Sequence, residues 1–464
     1  MITRLFLLLS LLSSSICFAA DEPPNFVIIN CDDLGYADIG CFGSKLHRTP
    51  NIDRMAAEGI RMTDFYVTSG VCSPSRSSLM TGCYPRRTNL HEDHKGGWVL
   101  FPRGKKGLNP DEVTIAEVLK SAGYATAIVG KWHLGDQPPF LPTKQGFDSY
   151  FGIPYSNDMG WTDRKDKRYP PLPVLRNEEV IEQEPDQRLI TQRYTQEVVK
   201  FLKANKDRRF FLYLAHTMPH WPQYASEKFA GKSKNGKWGD AVEEIDWSTG
   251  VVFDTLKELG IDEKTLVVFT SDNGGATRWG ASNAPLKGAK GSTYEGGQRV
   301  CCVVRWPGQI AAGTSSRELA ISMDWLPTFA KLAGTNAPQD RIIDGRNIWP
   351  LLADEADATS PHEAFYYYFR RNLECVRSGK WKLRVIKHRQ QTPNPKQPFA
   401  PQLFDLEADI AEEHDVASQH PQIVKRLLEL ADKARADLGD GDKPGRNQRP
   451  AGFVDNAKAL TDAE

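Results

Sequence analysis

Cys72 begins the stretch of the sequence whose residue types and spacing point most directly to chemistry. It is followed by Ser73-Pro74-Ser75-Arg76 and by a short run that ends at Gly82. Proline is favoured in the first turn of a helix, where its missing N–H removes no hydrogen bond, so we predict a loop that enters a helix near Cys72. Helix N-termini favour negative charge, and Arg76 lies one turn along the same face. This predicts an anion site beside a cysteine, although a cysteine alone is more typical of a buried or disulfide-bonded residue.

Oxygen-bearing side chains follow two apolar runs, 25–31 and 266–271, that have the pattern of buried parallel strands. These side chains are Asp32, Asp33, Asp272 and Asn273. In an open α/β sheet, the carboxyl ends of parallel strands face the crevice where ligands bind. Adjacent carboxylates repel each other unless a cation neutralises them, and oxygen-only ligands suit Ca²⁺ or Mg²⁺ rather than zinc. We therefore predict one shared cation site; the alternative is that each side chain only caps the turn that follows it.

Two lysines are placed where they can add positive charge to this crevice. Lys131 follows the apolar run 125–129, and His133 shares its face because alternate residues of an extended segment point the same way. The lysine offers a fixed charge, and the histidine offers a proton-transfer group near neutral pH. Lys290 lies in the glycine-punctuated loop 285–297, from which a cation can reach a bound anion.

A fourth apolar run, 210–215, is followed by two histidines, His216 and His220. Either histidine can donate a proton or a hydrogen bond to an anion. The spacing leaves open which of the two is functional and which is structural.

The elements that must position these residues alternate as strands and helices, which indicates an α/β fold. We predict a large mixed, mainly parallel sheet sandwiched by helices. Beyond residue 360, short alternating runs predict a small C-terminal antiparallel sheet with a packed helix at 422–437, and Ser378-Gly379-Lys380 forms a hairpin turn in it. The charged, proline-bearing segment 161–185 has little periodicity and is predicted to be a surface excursion.

The chain is predicted to consist of four parts: a signal peptide (1–20), a catalytic α/β domain (21–355), a small α+β subdomain (356–440) and a flexible tail (441–464). Arg4, an apolar run and small residues up to Ala20 are typical of a cleavable secretory signal, with an uncleaved anchor as the alternative. We therefore expect a secreted or periplasmic protein. No later run is long enough to cross a bilayer.

The charge balance limits the kinds of partner that the chain can bind, and the cysteine count limits its disulfides. The 59 basic residues balance 59 acidic residues, so the overall charge points to neither a nucleic-acid partner nor an anionic membrane. Because no later apolar run is long enough, we also expect no stable membrane span. Eight cysteines include Cys17 in the predicted leader, and the odd number that remains leaves at least one thiol unpaired within an exported chain. Cys72 is the natural candidate, and the disulfide pattern of the others stays open.

The stretch 72–76 resembles the C-x-P-S-R signature of the type I, formylglycine-dependent sulfatases of the alkaline-phosphatase-like superfamily. The segments 130–135 and 270–275 resemble other motifs of that family, and the resemblance extends from 30–35 to near residue 405. It implies that a formylglycine-generating or equivalent maturation enzyme converts Cys72 to formylglycine, an aldehyde whose hydrate attacks sulfur.

The resemblance also implies roles for individual residues. The ligands of a calcium ion would be Asp32, Asp33, the modified Cys72, Asp272 and Asn273. Arg76 and Lys131 would stabilise the hydrate, and His133 would help to eliminate sulfate. The sulfate ester would be contacted by Lys131, His220, Lys290 and Ser156, the last from a loop at 153–158 that resembles the corresponding loop of the family.

We therefore expect hydrolysis of a sulfate monoester to an alcohol and inorganic sulfate. Secretion without membrane attachment favours a carbohydrate sulfate over a steroid or simple aryl sulfate. Two alternatives remain. One is a phosphate ester hydrolase of the same superfamily, which generally uses serine or threonine and two zinc ions; the other is a non-catalytic relative that binds sulfated glycans and keeps Cys72 as a thiol.

Overall fold

The computed structural model of the protein describes residues 22–163, 167–386 and 399–461. The predicted signal peptide lies outside these ranges. The strands are, in chain order, Asn25–Cys31 (β1), Ile60–Met62 (β2), Phe65–Tyr66 (β3), Lys106–Gly107 (β4), Ala125–Gly130 (β5), Ser149–Gly152 (β6), Pro173–Arg176 (β7), Glu179–Gln183 (β8), Phe210–Ala215 (β9), Thr265–Ser271 (β10), Arg299–Val300 (β11), Cys302–Arg305 (β12), Thr314–Ser316 (β13), Ala320–Ile321 (β14), Phe365–Phe369 (β15), Asn372–Ser378 (β16), Trp381–Arg384 (β17), Gln402–Asp405 (β18), Gly439–Asp440 (β19), Lys443–Pro444 (β20) and Gly452–Phe453 (β21).

The α-helices are Pro50–Ala57 (α1), Cys72–Thr81 (α2), Ile115–Ser121 (α3), Ile190–Asn205 (α4), Gly236–Glu258 (α5), Glu295–Gln298 (α6), Trp325–Leu332 (α7), Trp349–Leu352 (α8) and Pro421–Leu438 (α9). Within the described ranges, no helix is both long enough and apolar enough to cross a membrane.

Ten strands form the main sheet, in the order β13-β2-β12-β10-β1-β9-β5-β6-β7-β8. The five central strands, β10, β1, β9, β5 and β6, are all parallel, and antiparallel strands flank them. Strands β1, β5, β9 and β10 are buried along their whole length, as expected of continuous apolar runs covered on both faces. This confirms the predicted mixed, mainly parallel sheet.

Helices cover both faces of the sheet, because alternate side chains of each strand point to opposite sides. From β1, Phe26 and Ile28 enter a core shared with α3 and α7. Val27 and Ile29 of the same strand enter a second core shared with α4 and α5. The sheet is therefore sandwiched by helices, as predicted.

A second sheet, β15-β16-β17-β18, is antiparallel throughout. Helix α9 packs on it through an apolar side that includes Leu427, Leu430 and Ala434. The turn between β16 and β17 uses Gly379 with φ +56°, a conformation that favours glycine. The predicted C-terminal sheet and helix are confirmed.

Two segments differ from what their composition predicts. Within 161–185, β7 and β8 form a hairpin that extends the edge of the main sheet. After residue 440, Phe453 pairs with Lys106, and Arg449 binds both carboxylate oxygens of Glu112 at 2.7 and 2.8 Å. Polar composition predicted poor order at the C-terminus, but these contacts attach the described part of the tail to the rest of the fold.

Candidate active site

The carboxyl ends of four neighbouring parallel strands, β10, β1, β9 and β5, meet at one edge of the main sheet. Backbone hydrogen bonds continue one residue past each strand: Asp272 N donates to Cys31 O at 3.0 Å, and Lys131 N donates to Ala215 O at 2.8 Å. The polar residues after these strands therefore start from fixed positions. The strands place Asp32, Asp33, Asp272, Asn273 and Lys131 around one pit.

Cys72 is the first residue of α2 and lies in this pit. Its Sγ donates to Asp32 Oδ1 at 3.4 Å, and the residue is only 2% exposed. Burial and the charge of Asp32 raise the pKa of the thiol well above its ordinary value. The unmodified side chain is therefore a neutral thiol and a weak nucleophile.

The acidic residues from β1 and β10 contact one another directly. Asp33 N donates to Asp272 Oδ1 at 3.2 Å, and Asn273 Nδ2 donates to Asp33 Oδ1 at 2.8 Å. Asn273 Oδ1 is buried and has no hydrogen-bond partner. Ligand atoms of Asp32, Asp33, Cys72 and His220 lie within 4.8 Å of one another. These converging oxygens and the unpaired amide oxygen fit a hard divalent cation.

Three basic side chains neutralise the carboxylates. Lys131 Nζ lies 2.5 Å from Asp32 Oδ2 and 3.2 Å from Ser156 Oγ. Lys290 Nζ lies 2.7 Å from Asp33 Oδ2. Arg76 Nε donates to Asp272 Oδ2 at 2.8 Å and Nη1 donates to Lys131 O at 2.9 Å, whereas its buried Nη2 has no hydrogen-bond partner.

Burial and charge push the pKa values of two carboxyl groups apart. Burial opposes ionisation of Asp32, but Lys131, His220 and Arg76 hold its pKa well below the ordinary range. Burial and the neighbouring Asp32 charge raise the pKa of Asp272 to about 7. A bound divalent cation would favour the ionised form of both groups.

Of the two candidate histidines, the structure brings only His220 to the pit. Its Nε2 lies 3.7 Å from Asp33 Oδ2 and 3.4 Å from Ser156 Oγ. Both ring nitrogens of buried His216 lack a hydrogen-bond partner, and burial lowers its pKa to about 3. His216 is therefore a neutral ring outside the network of charges.

His133 lies beside the site but is hydrogen-bonded away from it. Its Nε2 lies 2.9 Å from the carbonyl oxygen of Leu100. Burial and Lys131 lower its pKa well below the ordinary value, so the ring is neutral. Because a carbonyl only accepts, Nε2 carries the proton and the buried, unpartnered Nδ1 is a proton acceptor.

Asn157 is a site residue that the sequence reasoning missed. Its Oδ1 accepts from His220 Nδ1 at 3.0 Å, and its Nδ2 donates to Pro222 O at 3.0 Å. The amide therefore fixes the orientation of the His220 ring and leaves Nε2 toward the pit. Its position next to Ser156, in the loop already singled out, was the signal that could have found it.

Comparison with known proteins adds independent information. Residues 24–335 match the family model described as Sulfatase, and residues 289–437 match one described as N-sulphoglucosamine sulphohydrolase, C-terminal. The chain is 38% identical to arylsulfatase A of Homo sapiens over 462 residues, which covers 90% of this chain and 89% of that protein. It is 41% identical to N-acetylgalactosamine-6-sulfatase of Mus musculus over 396 residues, with 82% and 75% covered.

A solved structure is similar to this chain in fold and sequence. The crystal structure of Ps i-CgsB in complex with k-i-k-neocarrahexaose superimposes with a TM-score of 0.76 at 33% identity. The similarity covers 89% of this chain and 92% of that one.

Proposed function

The chain belongs to the sulfatase family and is a sulfuric ester hydrolase, and we propose that it releases inorganic sulfate from a sulfated carbohydrate. The observation that carries this proposal is the position of Cys72 at the start of α2, 3.4 Å from Asp32 and within a set of buried cations. A tetrahedral dianion or monoanion would find fixed charge there without any net charge on the protein.

We further propose that Cys72 is converted to formylglycine by a formylglycine-generating or equivalent maturation enzyme. One hydroxyl of the hydrated aldehyde would attack sulfur as the bond from sulfur to the alcohol oxygen breaks. Loss of the proton from the second hydroxyl would then re-form the aldehyde as the carbon–oxygen bond to sulfate breaks. The raised pKa of the unmodified thiol supports this proposal, because a buried neutral thiol would be slow to attack.

A calcium ion, or Mg²⁺ in its place, would be held by Asp32, Asp33, Asp272, Asn273 and the modified side chain of residue 72. When bound, it would supply positive charge that polarises the sulfate oxygens. Asp33 already contacts Asp272 through its backbone N–H and Asn273 through its carboxylate, and ligand atoms of Asp32 and Asp33 lie within 4.8 Å of each other.

We assign substrate binding, positioning and proton transfer to different side chains of the protein. Lys131, Lys290 and Ser156 bind the ester oxygens, and Arg76 holds Asp272 while its free Nη2 faces Asp32 at 3.8 Å. His220, oriented by Asn157, would donate the Nε2 proton of its doubly protonated ring to the leaving alkoxide, because Nδ1–H stays bound to the Asn157 amide oxygen. His133 accepts a proton at its free Nδ1 when sulfate is released.

A carbohydrate substrate and export from the cell are parts of the same proposal. The structural relative Ps i-CgsB is described in complex with a neocarrahexaose, and one sequence relative is named for an N-acetylgalactosamine sulfate. The apolar leader predicted at 1–20 would export the chain to the compartment in which such glycans are met.

Turnover by the purified, matured protein tests the proposal. We expect sulfate release from defined sulfated mono- or oligosaccharides at a higher kcat/KM than from 4-nitrophenyl sulfate, and little turnover of the matching phosphate ester. Turnover of phosphate esters alone would favour the phosphatase alternative. Turnover of aryl or steroid sulfates alone would contradict the carbohydrate preference, and binding without turnover would favour the glycan-binding alternative.

A further inference from the structure

Two tryptophans form an aromatic pair beside the pit. The ring centroids of Trp221 and Trp279 are 5.1 Å apart, with an angle of 22° between the ring planes. Trp279 is 39% exposed, although a large aromatic side chain gains most when it is covered. A stacked aromatic pair with one half-buried and one exposed ring beside the polar pit has the composition of a ligand-binding surface.

The pair is built from the two loops that flank the end of β1. Trp221 directly follows His220, whose ring contacts Asp33. Trp279 ends a short turn that is attached to Gly275, since Thr277 N donates to Gly275 O at 3.1 Å. The same carbonyl accepts from the backbone N of Lys290 at 3.1 Å. The aromatic pair is therefore connected through short segments to His220 on one side and to Lys290 on the other.

Arg278 adds a positive charge to this surface. Its guanidinium carbon lies 5.0 Å from the centroid of the Trp279 ring, a cation–π distance. Among the residues that the structure describes, no carboxylate lies within ion-pair distance of Arg278, which is exposed. An exposed guanidinium without an acidic partner can bind a carboxylate or sulfate group of a ligand through two hydrogen bonds.

We propose that Trp221, Trp279 and Arg278 form a saccharide subsite adjacent to the sulfate-binding pit. The apolar face of a pyranose ring packs on the aromatic pair, and a second anionic group of the glycan binds Arg278. The inference rests on the proposed function, and it restricts the substrate to an anionic oligosaccharide with a charged group beyond the one removed.

Binding measurements on the full chain test the subsite without turnover. A Cys72→Ala protein would be titrated by calorimetry with three defined sulfated tetrasaccharides, from a galactan, a galactosaminoglycan and a glucosaminoglycan. We expect binding of at least one of them, and a further Trp279→Ala change to weaken it about tenfold. Arg278→Ala should weaken it by a similar factor and reduce its dependence on salt.

Matched controls lie at the opposite edge of the sheet. Trp349 pairs with Trp306 at 5.4 Å, and Trp306 Nε1 donates to Glu263 O near the amino end of β10. Arg208 is exposed just before β9. Trp349→Ala and Arg208→Ala should leave the affinity within about twofold.

Kinetics separate the subsite from a structural role. In the matured protein, Trp279→Ala should lower kcat/KM for a tetrasaccharide about tenfold more than for 4-nitrophenyl sulfate. Three results would overturn the subsite. They are equal losses on the two substrates, an unchanged tetrasaccharide affinity in both Trp279→Ala and Arg278→Ala, and no binding of any tetrasaccharide. Failure of the proposed function has a different signature, which is tetrasaccharide binding that depends on Trp279 without sulfate release by the matured protein.

Discussion

At the scale of single residues, the two histidines after β9 differ in their surroundings: one ring lies at the pit and the other is packed away from it. His220 contacts Ser156 and is oriented by Asn157, whereas both ring nitrogens of His216 are buried without a partner. The four-residue spacing between them gives no information about which ring turns toward the pit. The path of the loop that follows β9 decides it.

We predict that His220→Gln lowers kcat for a sulfated sugar by about 10²- to 10⁴-fold, the usual contribution of a general acid. The loss should be smaller with 4-nitrophenyl sulfate, because a good leaving group needs less protonation. His216→Leu is the control; it should keep kcat and should not lower the melting temperature, because it removes unpaired buried polar atoms. Equal losses in both variants, or the same loss for both leaving groups, would contradict the assignment of His220.

At the scale of elements, the C-terminal sheet holds the loop that carries Lys290. Lys382 of β17 lies 2.8 Å from Glu295, the first residue of α6, and 2.8 Å from Glu412. Glu412 in turn accepts from Glu295 N at 2.7 Å, and its carbonyl accepts from Lys287 Nζ at 2.9 Å. The loop between Lys287 and Glu295 is therefore fastened at both ends.

The two acids that share Lys382 differ in their ionisation. Burial opposes ionisation of Glu295, but Lys382, Arg299 and Arg377 lower its pKa from 4.5 to about 2. Burial raises the pKa of Glu412. Lys382 lowers this pKa, but the negative charge of Glu295 raises it again, so the net shift is upward. Glu295 is therefore the carboxylate that must remain charged in the folded protein.

We predict that Glu295→Gln lowers the free energy of unfolding by about 3–5 kcal/mol near neutral pH, because it leaves buried cations uncompensated. Glu412→Gln, the matched control, should cost less. Since the folded pKa of Glu295 lies below 4.5, its stabilisation is complete above that pH and is lost as the pH falls toward about 2. Chemical denaturation of both variants across this range measures the effect; a larger loss for Glu412→Gln would contradict it.

The elements that could be predicted from sequence are those whose pattern reports burial directly. β1, β5, β9 and β10 are continuous apolar runs, and their shared direction placed Asp32, Asp272 and Lys131 at one edge. The hairpin β7-β8 was missed because β8 alternates exposed and half-buried residues at the sheet edge, with Glu179, Ile181 and Gln183 at the exposed positions. Short, charged edge strands of this kind resemble loops in sequence.

Contacts between residues that are far apart in the sequence could not be predicted either. Arg76 was expected beside Cys72, and it is, but its principal partner Asp272 is 196 residues away. The burial of Lys382 between Glu295 and Glu412 was also invisible, because a lysine in an alternating strand normally faces solvent.

At the scale of the whole molecule, the main sheet brings acids from two distant segments into one pit, so a divalent cation should stabilise the entire fold. We predict that Ca²⁺ raises the melting temperature of the chelator-treated protein, with about 2.7 kcal/mol of stabilisation at about 100 times Kd. Asp272→Asn should abolish most of this response while keeping the acceptor for Arg76.

Asp340→Asn is the control, because Asp340 is exposed and pairs with the adjacent Arg341. It should respond to Ca²⁺ as the unchanged protein does. Thermal scans with and without Ca²⁺ measure the difference, and an equal response of the Asp272 and Asp340 variants would exclude a cation site at the strand ends.

The most direct test of the proposed formylglycine is mass spectrometry of the peptide that contains residue 72, taken from a preparation whose sulfate-releasing activity has been measured. We predict that the aldehyde form is present and that its fraction rises in proportion to specific activity when the maturation enzyme is supplied. A fully active preparation in which residue 72 is entirely an unmodified thiol would contradict sulfate ester hydrolysis through formylglycine.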